Sequence, residues 1–261
     1  MTETPSTPSI LELAETNKLL VVSDFDGTIA GFSKDPYLVP INQKSLKAVK
    51  DLSRMPNTDV VILSGRHLAG LARVLDLGDY PITIVGSHGS EDSSRPRSLS
   101  QRDQQRLERI EADLNSITDG HDGAFVEVKP YHRVLHFIRV SDPEAVAGII
   151  ARAEEIDASG LHVTRGKNII EYSVSTTTKG SWLAAAVNRI QPSGIIFIGD
   201  DTTDEDGFRT LVDAPGALTV KVGTGDTAAM TRVPDIEAVG SLLEKLAYHR
   251  MQHTEAKSLN H

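Results

Sequence analysis

Five short apolar runs constrain this chain more than any other feature: residues 19–22, 60–63, 82–85, 195–198 and 218–222. Each is too brief for a helix, and each gives way to polar or glycine residues. Their apolarity is continuous rather than alternating, as strands buried on both faces require. Helical patterns lie between them, at 43–52, 68–75, 181–190 and 205–211. Strand and helix in alternation predict a doubly wound, Rossmann-like α/β domain.

The middle of the chain has a different texture. Residues 95–98, Arg-Pro-Arg-Ser, break the pattern, and a polar helical stretch follows over 101–114. Two β-rich segments come next, at 125–129 and 133–140. Pro143 and Glu144 open a helix to about 156, and a hairpin is expected from 161–164, a turn at 165–168, and 169–174. The order αββαββ describes a small α+β domain inserted in the larger one, because α/β signals resume at Lys179. The expected division is a discontinuous core, 1–96 and 176–261, around an insert, 97–175. The first ten or so residues and residues 249–261 are polar, lack a periodic pattern, and read as mobile tails.

The 27 Lys and Arg against 36 Asp and Glu leave a net charge of −9, which argues against nucleic acid as a partner but permits a small anion. With no cysteine, disulfides, zinc–thiolate sites and thiol catalysis are excluded. The start, MTETPSTPS, has no secretory pattern, and no apolar run approaches the roughly 20 residues of a membrane span. A cytoplasmic protein without membrane partners is expected, with a monomer as the working assumption.

In open α/β sheets, functional groups gather at the carboxyl ends of strands. Here those ends read Ser23-Asp24-Phe25-Asp26-Gly27-Thr28, Ser64-Gly65-Arg66, Gly86-Ser87-His88-Gly89 and Gly199-Asp200-Asp201. Two acidic clusters facing one crevice repel unless a cation separates them, and hard oxygen ligands favour Mg2+. Beside such an ion, Asp24 could attack phosphorus and form an aspartyl phosphate. Asp26 could protonate the leaving oxygen and then deprotonate the hydrolytic water. Ser64, the backbone N–H groups around Gly65, and Lys179 could neutralise the equatorial oxygens. Lys179 opens a helix, where the dipole disfavours a cation unless an anion also binds there. Any single Asp after a strand could equally be a helix cap; two clusters make that reading insufficient.

These residues resemble the four motifs of the haloacid dehalogenase phosphatase superfamily, in its order: Asp24-Phe25-Asp26-Gly27-Thr28, Ser64-Gly65-Arg66, Lys179-Gly180, and Gly199-Asp200-Asp201-Thr202-Thr203-Asp204-Glu205-Asp206. The last motif, with Gly86-Ser87-His88-Gly89-Ser90-Glu91, is similar to trehalose-6-phosphate phosphatases. The resemblance implies a magnesium-dependent phosphatase converting trehalose 6-phosphate to trehalose and phosphate, the last step of trehalose biosynthesis. It implies Mg2+ held by Asp24, the backbone carbonyl of Asp26 and Asp200, with Asp204 supporting through water. Gly65 and Arg66 belong to its substrate loop. The insert resembles this group's cap, with Glu127, Lys129, Lys167 and Glu171 reading the sugar. One departure stands out: relatives often carry His-Tyr-Arg where this chain has His136-Phe137-Ile138-Arg139. A one-residue shift would turn the arginine to the opposite sheet face.

The rivals within the class are sucrose-phosphate and mannosyl-phosphoglycerate phosphatases. A glycosyltransferase using Asp24-Phe25-Asp26 as a metal-binding DxD would leave Lys179 and Asp200 without work. A non-catalytic sugar-phosphate sensor would not need both Asp24 and Asp26. Residues 223–228 imitate a dinucleotide fingerprint, but no further strand is expected after them. Trp182 lies among alanines and is expected in the core.

Overall fold

The computed structural model describes residues 7–258. It divides into two compact units, one built from the segments up to Pro96 and from Thr177 onward, the other from Arg97–Thr176. The first unit contains α1 (Ile10–Ala14), β1 (Leu19–Ser23), α2 (Gln43–Ser53), β2 (Thr58–Leu63), α3 (Leu68–Ala72), β3 (Ile82–Gly86) and β4 (Glu91–Asp92). The second supplies α4 (Gln101–Thr118), β5 (Phe125–Val128), β6 (His132–His136), α5 (Pro143–Glu154), β7 (His162–Gly166) and β8 (Ile169–Ser173). The chain then returns to the first with α6 (Lys179–Ile190), β9 (Gly194–Gly199), α7 (Thr202–Leu211), β10 (Ala217–Val222), β11 (Thr231–Val233) and α8 (Ile236–Ser258).

The first unit is a seven-stranded sheet in the order β11-β10-β9-β1-β2-β3-β4, parallel except for the short edge strand β4. Every residue of β1 is fully buried, and its alternation explains the continuous apolarity. Leu19 and Val21 pack into one layer with Val49 and Leu52 of α2 and Leu243 of α8. Leu20 and Val22 pack into the other with Leu183 of α6 and Phe208 of α7. Each such burial contributes roughly 1.5–3 kcal/mol against the cost of ordering the chain. Strand order proceeds outward in one direction from β1 and in the other from β9. The switch point therefore lies between these two strands, where an α/β sheet leaves a crevice at its carboxyl edge.

Within the described residues, positions 9–10 and 249–258 differ from the expected mobile tails. Ser9 caps α1 in a reciprocal box with Glu12, and Leu13 and Ala14 enter the core. At the other end α8 runs to Ser258, and Arg250 is 1% exposed. Its Nε donates to Thr58 Oγ1 at 3.0 Å and Nη1 to the carbonyls of Ala14, at 3.0 Å, and Thr16. Nη2 donates to the carbonyls of Pro56, at 3.2 Å, and Asn57, at 2.9 Å. An arginine buried on carbonyls leaves no trace in apolar periodicity, so the polar string 249–258 conceals an ordered helix. Residues 1–6 and 259–261 lie outside the described region. A short strand, β11, also follows residues 223–228, contrary to expectation; it is a three-residue edge strand beside β10 and contains no acid. Trp182 is buried, and its indole donates to Asp92 Oδ2 at 3.1 Å.

The second unit is an antiparallel sheet in the order β5-β6-β8-β7. Its two helices cover one face: Ile110 and Leu114 of α4 and Ile149 of α5 pack on Leu135, Ile170 and Tyr172. Alternation puts Phe125, Glu127, His132, Val134, His136 and Glu171 on the other face. β6 stops at His136, earlier than expected, because Val140 N–H donates to Phe137 C=O at 3.1 Å and turns the chain. Among the described residues no helix is long and apolar enough to cross a membrane.

Candidate active site

β1 and β9 run in register, Ser23 opposite Ile198, so the residues following them leave the sheet side by side. Asp24 N–H continues the ladder for one more bond, to Ile198 C=O at 2.8 Å. Gly27 then turns the chain with φ of +78°, and a Cβ there would fall 2.0 Å from Asp200 Oδ2. Only glycine tolerates both the conformation and the contact. The first and fourth motifs are thereby locked together.

Lys179, 2% exposed, donates to Asp24 Oδ1 at 2.6 Å and to Asp204 Oδ1 at 2.7 Å. Thr178 caps the helix that Lys179 opens, in a reciprocal box with Ser181. Asp206, whose role was not foreseen, accepts from Thr178 Oγ1 at 2.5 Å and from Gly180 N–H at 3.0 Å, one on each side of the lysine. A Cβ at Gly180 would lie 2.5 Å from Asp206 Oδ2, which explains the Lys-Gly pair: glycine admits the carboxylate that fixes the lysine's backbone. That glycine was the available signal. Asp204 uses its remaining oxygen, Oδ2, on the N–H groups of Asp200 and Asp201, both at 3.0 Å. It ties the start of α7 to the lysine.

Ligand oxygens of Asp24, Asp200 and Asp204 lie within 4.8 Å of one another. Lys179 pairs with Asp24 and Asp204 but not with Asp200, whose Oδ1 is buried with no hydrogen-bond partner. Burial, with repulsion from Asp204 and Asp200, pushes the Asp24 carboxyl up to about 8 despite Lys179. Burial and the charges of Asp204 and Asp201 push Asp200 up to about 6. Burial would lower Lys179, but Asp24 and Asp204 outweigh it and drive its pKa up. The group thus lacks positive charge and offers hard oxygens, a donor set suited to a divalent cation.

The side chain of Asp26 stands apart from this trio. Arg66 holds it in a fork, Nε to Oδ2 at 2.6 Å and Nη2 to Oδ1 at 2.7 Å, and also donates to Pro36 C=O at its other end. The Ser64 hydroxyl oxygen accepts from Arg66 N–H at 3.1 Å, closing the turn through Gly65. Above Gly65 lies the His88 ring, 2.5 Å from where a Cβ would stand. Ser87 and His88 both take positive φ, 48° and 55°, a strained pair held by a Ser87 hydroxyl bond to Glu91 Oε1 at 2.5 Å. The Gly-Ser-His-Gly motif was legible as sequence, but its backbone strain was not.

In the second unit, Glu127 Oε2 lies 3.5 Å from Lys129 Nζ and 2.9 Å from His136 Nε2. The His136 hydrogen bond is the leading influence holding Glu127 below the usual carboxylate range, against burial and with help from Lys129. His136 stacks on Phe125 at 4.6 Å and 6°. Arg139 does not turn to the opposite face; it sits in the turn after β6, with its guanidinium over the Phe125 ring at 5.8 Å. Strand alternation does not govern a residue beyond the strand's end. Glu171 faces His132, and Lys167 is exposed at the β7–β8 turn.

A model of the trehalose-phosphatase family matches residues 22–234. The chain is 27% identical over 236 residues to the trehalose-6-phosphate phosphatase of Escherichia coli, covering 89% of this chain and 88% of that one. It is 29% identical over 244 residues to a bifunctional trehalose-6-phosphate synthase/phosphatase of Thermoproteus tenax, covering 90% of this chain but 33% of that protein. The solved trehalose-6-phosphate phosphatase of Aspergillus fumigatus superposes with a TM-score of 0.69 at 25% identity, over 93% of this chain and 99% of the other. The C-terminal domain of the Candida albicans enzyme shares the fold at a TM-score of 0.73 and 22% identity, over 93% and 99%. A family match that takes in every motif loop and the whole inserted unit leads to one conclusion: the chain belongs to the trehalose-phosphatase family.

Proposed function

We propose that the chain hydrolyses trehalose 6-phosphate to trehalose and phosphate through a phosphorylated Asp24. The observation that carries this reading is the buried junction of Asp24, Lys179 and Asp204 beside Asp200, at the switch point of a parallel sheet. Asp24 attacks phosphorus in line; the bond from phosphorus to the sugar oxygen breaks, and that oxygen takes a proton from Asp26. Water then attacks the acyl phosphate and gives its proton to Asp26, releasing phosphate and restoring Asp24. Lys179, touching Asp24, offsets charge on the phosphoryl oxygens in both halves. Magnesium, held by Asp24, Asp200 and the Asp26 carbonyl, would add Lewis-acid neutralisation of the same oxygens.

In the resting site Asp26 accepts two bonds from Arg66. A substrate phosphate offers that guanidinium a competing anion; the carboxylate so released takes up a proton from the incoming phosphate monoanion or from solvent, and then serves as the acid. Ser64 and the Gly65 turn complete the phosphate cradle. On the inserted unit, Glu127, Lys129 and Glu171 accept from and donate to sugar hydroxyls, and Lys167 adds a donor at the hairpin tip.

The test is phosphate release from a panel of sugar phosphates, with and without magnesium. Trehalose 6-phosphate is expected to be the preferred substrate and the reaction to require the metal. Faster turnover of sucrose 6-phosphate, or of mannosyl phosphoglycerate, would transfer the assignment to that substrate.

A further inference from the structure

Glu127 and Glu171 occupy one row across the open face of the inserted sheet, each directly opposite Val134 of the central strand β6. Two residues to either side of Val134 stand His136 and His132. Each is therefore the diagonal neighbour of one glutamate, within reach of a long side chain. His136 Nε2 lies 2.9 Å from Glu127 Oε2, and His132 Nδ1 lies 3.2 Å from Glu171 Oε1. The same pairing thus occurs twice about one strand. Only the first has a hydrogen bond's angle; the second is a close contact on a buried ring.

The His136 pair is also braced. Phe125, its direct cross-strand partner, stacks flat on the ring, and Arg139 covers the phenyl group. A glutamate has three rotatable bonds, and holding it ready for a ligand costs rotamer entropy at the moment of binding. An imidazole whose plane is fixed by stacking pays that cost in advance. It occupies one carboxylate oxygen and leaves lone pairs of both oxygens for the ligand.

We infer that His136 is a positioning residue: braced by Phe125, it orients the Glu127 carboxylate to accept from a pair of sugar hydroxyls. This rests on the reading that the open face of the inserted sheet recognises the sugar.

The experiment compares kcat/KM on trehalose 6-phosphate with that on an aryl phosphate, which has no sugar. Wild-type enzyme that releases phosphate from the aryl compound but not from trehalose 6-phosphate would refute the sugar reading itself, before any variant is made. With that activity present, His136→Ala is expected to reduce the ratio of the two at least tenfold, mainly through KM for the sugar phosphate. His136→Gln, whose amide nitrogen reaches the position of Nε2, is expected to restore the ratio to within threefold of wild type. In a Glu127→Ala background the additional His136→Ala is expected to cost less than twofold, because the histidine acts through the glutamate. If His136→Ala does not fold by circular dichroism, the Gln variant decides. A folded His136→Gln with a tenfold loss would overturn the inference, as would an unchanged ratio in His136→Ala. So would a further tenfold loss in the Glu127→Ala background.

Discussion

Replacing Asp24 by asparagine should abolish turnover and, in the same molecule, raise the stability of the metal-free protein. The carboxyl is pushed from its ordinary value of 3.8 to about 8, chiefly by burial and then by Asp204 and Asp200. A native pKa above the unfolded one means that the folded state binds more protons across that interval. The contribution of this carboxyl to stability, read in chelator as the difference between wild type and variant, must therefore fall as pH rises from about 4 to about 8. At pH 7 the displacement is about three units at ~1.4 kcal/mol each, or about 4 kcal/mol. Asparagine retains an acceptor for Lys179 but a weaker one, which halves the expected gain to about 2 kcal/mol. For a chain of this size that corresponds to about 4–8 °C in Tm. Differential scanning calorimetry in EDTA should show the variant ahead of wild type at pH 8, with the gap closing towards pH 4. A smaller slope should persist in the variant below pH 6, where Asp200 still titrates. Added magnesium should raise the Tm of wild type more than that of the variant. A variant less stable than wild type at pH 8 in chelator would refute the claim that crowded carboxylates strain this site.

Other substitutions probe the surrounding frame. Gly27→Ala should impair both folding and magnesium binding, since its Cβ would meet Asp200 at 2.0 Å; calorimetric titration with the ion reads the second effect. Asp206→Ala should lower the urea midpoint, with a loss of about 1–2 kcal/mol, and reduce kcat more than it raises KM, because the start of α6 loses two acceptor bonds. NMR titration should place Glu127 below 4.5 in the native protein and nearer that value in His136→Ala. The stability gained from that depressed pKa is present above the unfolded value and disappears as pH falls through the folded one. Glu171→Ala should reduce turnover of the disaccharide phosphate far more than that of an aryl phosphate; equal losses would mean that the inserted sheet does not read sugar.

The core was legible because β1, β9 and β10 are buried along their whole length, and β2 and β3 towards their carboxyl ends, and that burial writes itself as short unbroken apolar runs. The loops following those strands were legible because a carboxylate or glycine is conspicuous immediately after such a run. What escaped was chemistry carried by pairings rather than by residue type. His136 and Glu127 are nine positions apart and meet only through the β5–β6 register. Arg139 lies over Phe125 rather than on the opposite face, because β6 ends at His136 and alternation does not describe the turn that follows. Asp206 lies within a motif whose acids all look alike; its bond to Thr178 and its close approach to Gly180 set it apart from Asp200 and Asp204.

The arginine near the end of α8 bears on how the chain is made. Its acceptors at residues 14, 16, 56, 57 and 58 leave the ribosome well before it, and they wait for 192 to 236 further residues to be synthesised before their donor exists. During that interval water must stand in for the guanidinium, above all at the carbonyls of Ala14 and Thr16, since those of Pro56 and Asn57 also accept from Thr58 Oγ1 and Leu19 N–H. Final closure of this unit is thus a late, long-range event. Shortening α8 by three turns should leave nascent protein soluble only with the help of a chaperone, even though every catalytic loop has already been made.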